Sequence, residues 1–110
     1  IAEKFHTMLD RDEYNSRMKD FFDCYQLLTK RELDDVTLYD AIKATFDNRE
    51  LEYNPKLKLF TAGFVNDANR QMQWKLFLRK IQWKEELSFN VVMQVIKDRL
   101  KPMAEKYWNR

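Results

Sequence analysis

Apolar side chains recur along this chain at intervals of three and four, a period that predicts helices. Ile1, Phe5, Met8 and Leu9 mark one face of an opening helix that ends near Asp10, and Asp12 to Asn15 form its turn. Asn15 or Ser16 is placed to cap a second helix running to about Thr29, with Met18, Phe21, Phe22, Tyr25 and Leu28 as its stripe. Thr37 followed by Asp40 resembles a capping box, which predicts a third helix with Tyr39, Ile42 and Phe46 inward. The polar stretch 47–55 stops it.

Leu57 to Phe60 is short and apolar, and Thr61 beyond it can cap one helical turn containing Phe64 and Val65. From Asp67 the pattern sharpens. Trp74, Phe77, Leu78 and Ile81 fall at i, i+3, i+4 and i+7, while Arg70, Lys75, Arg79 and Lys80 take the outward faces of the same helix. Ser88 can cap the next helix, whose buried side is Phe89, Val92, Val95, Ile96 and Leu100. Pro102 offers no amide, so it marks either a stop or the first turn of a short terminal helix through Trp108. The expected fold is all-α, with five or six helices in an irregular, orthogonal bundle. It spans residues 1–110 as a single domain and has no sheet of three or more strands. Phe21, Phe22, Tyr25, Ile42, Phe46, Trp74, Phe77, Leu78, Val92 and Ile96 are expected in its core.

Composition supports this reading and narrows it. With 110 residues, 45% apolar and 15% aromatic, the chain can bury a real core. One Gly and two Pro leave few places for hairpins or phosphate-cradling loops. The chain opens at Ile1 within an amphipathic pattern, so it is expected to be a C-terminal piece of a larger protein. No apolar run approaches the roughly 20 residues that span a bilayer, and no charged-then-apolar leader is present. Cys24 is the sole cysteine, which excludes an internal disulfide and a multi-cysteine zinc site and fits a cytoplasmic setting. The net charge of +2 conceals an uneven distribution. Residues 1–30 carry a net −1 and residues 31–54 a net −4, whereas residues 55–110 hold 12 Lys and Arg against 5 Asp and Glu, a net +7. Such a basic half suits a polyanionic partner, and it also serves as an ordinary solubilising surface.

Candidate chemistry concentrates in residues 15–23. Lys19 and Asp23 are four apart on one helix face, and Asp20 and Asp23 three apart. Two carboxylates beside a lysine can orient a cation, polarise a hydroxyl or hold a neighbouring ammonium; by spacing alone they also read as solvated ion pairs. Lys4 is expected to point away from the buried side. His6 is the only histidine and no H-E-x-x-H spacing exists, so no metal site is expected. Cys24 has no histidine in local reach and reads as a buried thiol. No P-loop, G-x-G-x-x-G or G-x-S-x-G occurs. Trp74, Trp83 and Trp108, interleaved with Arg and Lys, offer a stacking platform for nucleic acid; Trp74 reads as core, and the other two are open.

Ile1-Ala2-Glu3-Lys4-Phe5 followed by Asn15-Ser16-Arg17-Met18-Lys19-Asp20-Phe21-Phe22-Asp23 resembles paired motifs in the C-terminal half of the AbiEii/AbiGii nucleotidyltransferase toxin family. There an A-E-K segment precedes an R-x-K-D-aromatic-x-D helix. Phe64, Asp67, Arg70, Gln73-Trp74 and Phe77-Leu78-Arg79 resemble a second pattern, F-x-x-D-x-x-R-x-x-Q-W before F-L-R. The likeness covers nearly the whole chain. It implies an N-terminal α/β nucleotidyltransferase lobe with a Gly-Ser or Gly-Gly loop and a metal-binding Asp-x-Asp pair, neither of which these residues are expected to supply.

By that resemblance the whole protein uses an NTP and Mg2+, transfers a nucleotide to an acceptor such as RNA, and is the toxin of a bacterial toxin–antitoxin or phage-defence pair. No cofactor is expected in these residues alone, which are not expected to catalyse by themselves. The implied catalytic residues are Lys4, Asp20 and Asp23, with Lys4, Arg17 and Lys19 as the nucleotide-binding cations. Arg70, Lys75, Arg79 and Lys80 are the candidate RNA contacts, suggested by the basic second half. The expected partners are the N-terminal lobe, an antitoxin and RNA, with no membrane. The rival expectation is a non-catalytic helical module that binds an antitoxin or shields the catalytic lobe.

Overall fold

Four helices begin where a short polar side chain accepts the first orphan amide. Asp34 takes the Thr37 amide at 3.1 Å, Thr61 that of Phe64 at 3.2 Å, Asp67 that of Arg70 at 2.9 Å and Ser88 that of Val91 at 3.1 Å. In a computed structural model describing residues 1–110, these caps open α3 (Asp35–Arg49), α4 (Ala62–Val65), α5 (Ala68–Lys80) and α6 (Phe89–Trp108). They follow α1 (Ala2–Arg11), a 3-10 turn (Asp12–Tyr14) and α2 (Met18–Lys30). There is no strand, and the six helices fill extents of 40 × 31 × 20 Å.

The centre of the molecule is the packing of α2 along α6. Phe21 meets Phe89 edge-on at 5.4 Å, and Phe64 joins from α4 with its ring 6.2 Å from that of Phe21. α1 lies against α3, where Phe5 approaches Phe46 at 5.9 Å, and Tyr107 of α6 closes on the other side of Phe46 at 5.1 Å. Phe21, Ile42, Phe46, Trp74, Val92 and Ile96 are buried as the periodicity requires; Phe22, Tyr25, Phe77 and Leu78 are only half-buried at the core's edge. Trp74 is 2% exposed, and its indole N–H donates to the Leu87 carbonyl at 2.9 Å.

Several local expectations are corrected. Thr37 does not cap α3: Asp34 does, and Thr37 lies inside the first turn with both its amide and hydroxyl donating to Asp34. Asn15 does not cap α2. Its side-chain oxygen accepts from the Arg17 amide at 2.9 Å, shaping the turn before a helix that has no side-chain cap. Ile81 leaves the Trp74 stripe because α5 ends at Lys80, and it is 40% exposed. Pro102 neither stops α6 nor opens a new helix. It is exposed within a continuous helix, where water can reach the carbonyl that loses its partner.

The longest irregular stretch, residues 50–61, is held by one carboxylate. Asp12 accepts the Lys58 amide at 2.9 Å through both oxygens and the Leu59 amide at 2.7 Å. Leu59 is fully buried as a result. Asp12 itself sits at φ 47°, in a region that favours glycine.

Candidate functional site

The first two turns of α1 place Phe5, Met8 and Leu9 in the core, which fixes the neighbouring Lys4 at the seam with α2. Contrary to expectation, Lys4 does not point away from the fold. Its aliphatic stem crosses to α2, and its side chain is only 33% exposed. The ammonium lies 3.1 Å from Asp20 Oδ1 and 3.1 Å from Asp23 Oδ2. Asp20 and Asp23, three residues apart, share the α2 face that meets α1. Asp20 also lies in the first turn of α2, where the helix dipole favours a carboxylate.

Two further cations surround the pair. Arg17 Nε is 3.2 Å from Asp20 Oδ2, and Lys19 Nζ is 2.7 Å from Asp23 Oδ2. Asp20 is nearly sealed at 4% side-chain exposure, whereas Arg17 and Lys19 reach outward at 55% and 72%. Burial works against charge on Lys4, but the hydrogen bonds to Asp23 and Asp20 outweigh it and hold the ammonium's pKa above its ordinary value. At Asp23 burial also opposes the charge, and the bonds from Lys19 and Lys4 override it, so the carboxyl's pKa is held below the usual range. The five groups carry three positive and two negative charges.

That balance decides which of the three chemistries open to the carboxylates is built. Both Asp20 oxygens and Asp23 Oδ2 already face ammonium or guanidinium groups, so the site is not composed as a divalent-metal cage. The residues here do not fit a resident Mg2+. What the carboxylates do is hold an ammonium. Lys4 donates to Asp20 Oδ1 and forms an ion pair with Asp23 Oδ2 at 3.1 Å. The ammonium is thus held between two carboxylates, beside two exposed positive charges. Such a cluster is suited to an anionic oxygen.

The four residues of the basic second half fall into two kinds. Lys75, Arg79 and Lys80 are exposed on α5 as expected. Arg70 is not on an outward face. Its side chain is 16% exposed, its guanidinium lies 3.8 Å from the centroid of the Phe64 ring, and its Nη2 donates to the Glu13 carbonyl. Arg70 thus ties α5 to the turn after α1. The second family-like pattern has an architectural meaning throughout: Phe64 is buried, Asp67 caps α5, Arg70 covers Phe64 and Trp74 fills the core.

Cys24 is fully buried, and burial pushes its thiol pKa up to about 12, which removes it as a nucleophile. His6 is buried edge-on against Phe46 at 5.8 Å with neither nitrogen bonded, and burial holds its pKa below the ordinary value. Sequence reasoning found the members of the Lys4 cluster by resemblance, while their convergence came from the α1–α2 packing. It missed Asp12, for which periodicity carries no signal.

No helix is long and apolar enough to cross a membrane. Among known proteins, the family model described as nucleotidyl transferase AbiEii toxin, type IV toxin–antitoxin system, matches residues 1–95. No curated protein and no solved structure matches the chain. The match spans both the Lys4, Asp20 and Asp23 cluster and the Phe64 to Trp74 framework, and the chain belongs to the AbiEii nucleotidyl transferase toxin family of type IV toxin–antitoxin systems.

Proposed function

We propose that this chain forms the helical part of a nucleotidyltransferase that moves a nucleotide from an NTP to an acceptor such as RNA, with Lys4 as the phosphate-contacting cation. The observation that carries the reading is the Lys4 ammonium held between Asp20 and Asp23, beside the exposed charges of Arg17 and Lys19. In the reaction, an acceptor hydroxyl oxygen bonds to the α-phosphorus, the bond to pyrophosphate breaks, and the hydroxyl proton passes to solvent. Charge on the transferred group is offset by preorganised cations. Lys4 supplies one of these. Asp20 and Asp23 act as positioning residues, and Arg17 and Lys19 add positive potential at the rim. The carboxylates that hold Mg2+ belong, in this reading, to an N-terminal α/β lobe of the same protein. The setting is the bacterial cytoplasm, where an antitoxin restrains the activity and phage infection releases it.

The test is transfer of labelled nucleotide by the intact protein. Lys4→Ala should lower the rate by about 10²- to 10³-fold, the scale for removing one preorganised charge stabiliser. Asp23→Asn should lower it less and move the alkaline limb of the pH profile to lower pH, because Lys4 loses a partner that raises its pKa. Parental rates in folded Lys4→Ala and Asp23→Ala proteins would overturn the assignment. A second reading, a module that binds the antitoxin without taking part in catalysis, draws on the acidic segment 31–54, where Val36 is 67% exposed. Loss of antitoxin capture in Val36→Asp, with Lys4→Ala fully active, would favour it.

A further inference from the structure

Two cavities lie end to end along α6, between that helix and the irregular stretch before α4. One, of about 230 Å³, is lined by Lys97; the other, of about 430 Å³, is lined by Lys101, Glu105, Trp108 and Tyr53; Phe60 is a wall of both. Lys97, Lys101 and Trp108 stand at i, i+4 and i+11, so they share one helix face, with the two lysines about 6 Å apart along the axis. Elsewhere Lys4, Arg17, Lys19, Lys43, Arg49, Arg70, Arg99 and Arg110 form ion pairs. Lys97 and Lys101 form none, although both are half-buried in the groove. At the far end the Tyr53 and Trp108 rings meet edge-on at 5.4 Å, and Tyr53 is 64% exposed.

We propose that this groove binds a single-stranded nucleic-acid segment, with its phosphates on Lys97 and Lys101 and one unpaired base against the Tyr53–Trp108 pair. Two adjacent unpaired cations suit successive phosphates, and they hold no base preference. The aromatic end suits a base because stacking needs only a π-face, and the larger cavity falls within the size range of small-molecule sites. Glu105 beside it disfavours a further phosphate there, which leaves that end for an uncharged group. The proposal refines the nucleotidyl-transfer reading by naming where a strand docks, and it rests on that reading only for the strand's role as acceptor. It also moves the contact away from Lys75, Arg79 and Lys80, which are exposed on α5.

The test is fluorescence anisotropy of the chain with a fluorescein-labelled 12-nucleotide oligouridylate across a salt series, without NTP. Tyr53→Ala, at an exposed position, should weaken binding about 5- to 100-fold, the scale of one stacked base. Trp108→Leu should do the same, with circular dichroism confirming the fold. Lys97→Gln with Lys101→Gln should reduce the slope of log affinity against log salt by about 1.4, from about 0.7 for each single-strand phosphate contact. Lys75→Gln with Lys80→Gln should leave the aromatic dependence intact. Several results would each overturn the proposal: no oligonucleotide binding at low salt, equal binding of a 12-base-pair duplex or of polyglutamate, equal binding of uridine monophosphate, or an unchanged affinity in Tyr53→Ala. None of these bears on the Lys4 assignment, which is read by transfer rather than binding.

Discussion

Replacing Asp12 by alanine removes the only side chain that holds residues 58 and 59 against the α1–α2 turn. Two backbone amides lose a charged acceptor, and that of Leu59 is buried. A hydrogen bond to a charged group is worth about 1.5–3 kcal/mol, but water can replace part of the bond at the half-covered Lys58 amide, so the loss is about 3 kcal/mol. Alanine gains nothing back, because it remains strained at φ 47°. Glycine relieves that strain by about 1 kcal/mol, giving a net loss of about 2 kcal/mol. Asparagine keeps one neutral acceptor and should lose about 1–2 kcal/mol. The order of stability is therefore wild type, Asn, Gly, Ala. In urea denaturation followed by circular dichroism, Asp12→Ala should shift the midpoint markedly, and its Tm should fall by about 10–15 °C. Amide exchange at Leu59 should accelerate more than exchange at Ile42. An Asp12→Ala variant within about 0.5 kcal/mol of wild type, the usual range for a neutral surface change, would refute the reasoning. So would a glycine variant less stable than alanine.

Three other outcomes are expected. His6 is buried with a lowered pKa, so the unfolded chain binds the extra proton first, and stability should fall as pH drops below the ordinary value of 6.5. Urea midpoints at pH 5 and pH 7 should differ in wild type and converge in His6→Leu; parallel behaviour of the two would contradict this. Cys24, with its thiol pushed up to about 12, should resist a disulfide reagent at pH 8 until the chain unfolds, and rapid labelling of folded protein would show that the thiol is accessible. Pro102→Ala restores a helical amide at an exposed position and should stabilise by about 1 kcal/mol or more, whereas an unchanged or lower midpoint would mean the proline fits α6 better than its missing bond implies.

Stripes and two of the caps were legible because they are local. Thr61 and Ser88 each act three residues from where they stand, and a window of the sequence contains the whole interaction. The Lys4 cluster was half legible: Asp20 and Asp23 share a face by spacing, but sequence spacing cannot say that Lys4, 16 residues away, turns toward α2 rather than solvent. Arg70 was misjudged for the same reason, since helical position gives a direction and not the ring of Phe64 or the Glu13 carbonyl that draws the side chain in. Asp12 was invisible. Its partners are 46 and 47 residues away, and its backbone angle contradicts the usual preference of its residue type. Pro102 shows the opposite error, in which a strong local rule yields to the packing of Leu100, Met103 and Ala104 on either side.

The packing of α2 along α6 sets a schedule for the ribosome. The inward face of α2 is complete once residue 30 has been made, yet the Phe89 and Val92 surface that covers it is 60 residues further on, and α6 ends only at Trp108. At about 5–20 residues per second, the interval between the end of α2 and the end of α6 lasts roughly 4–16 seconds. During that time Phe21, Cys24 and Leu28 lack the cover of α6, so nascent chains wait with part of an apolar helix face open to chaperones. Messages cut short before the codon for Ser88 would yield chains that cannot close this core at all.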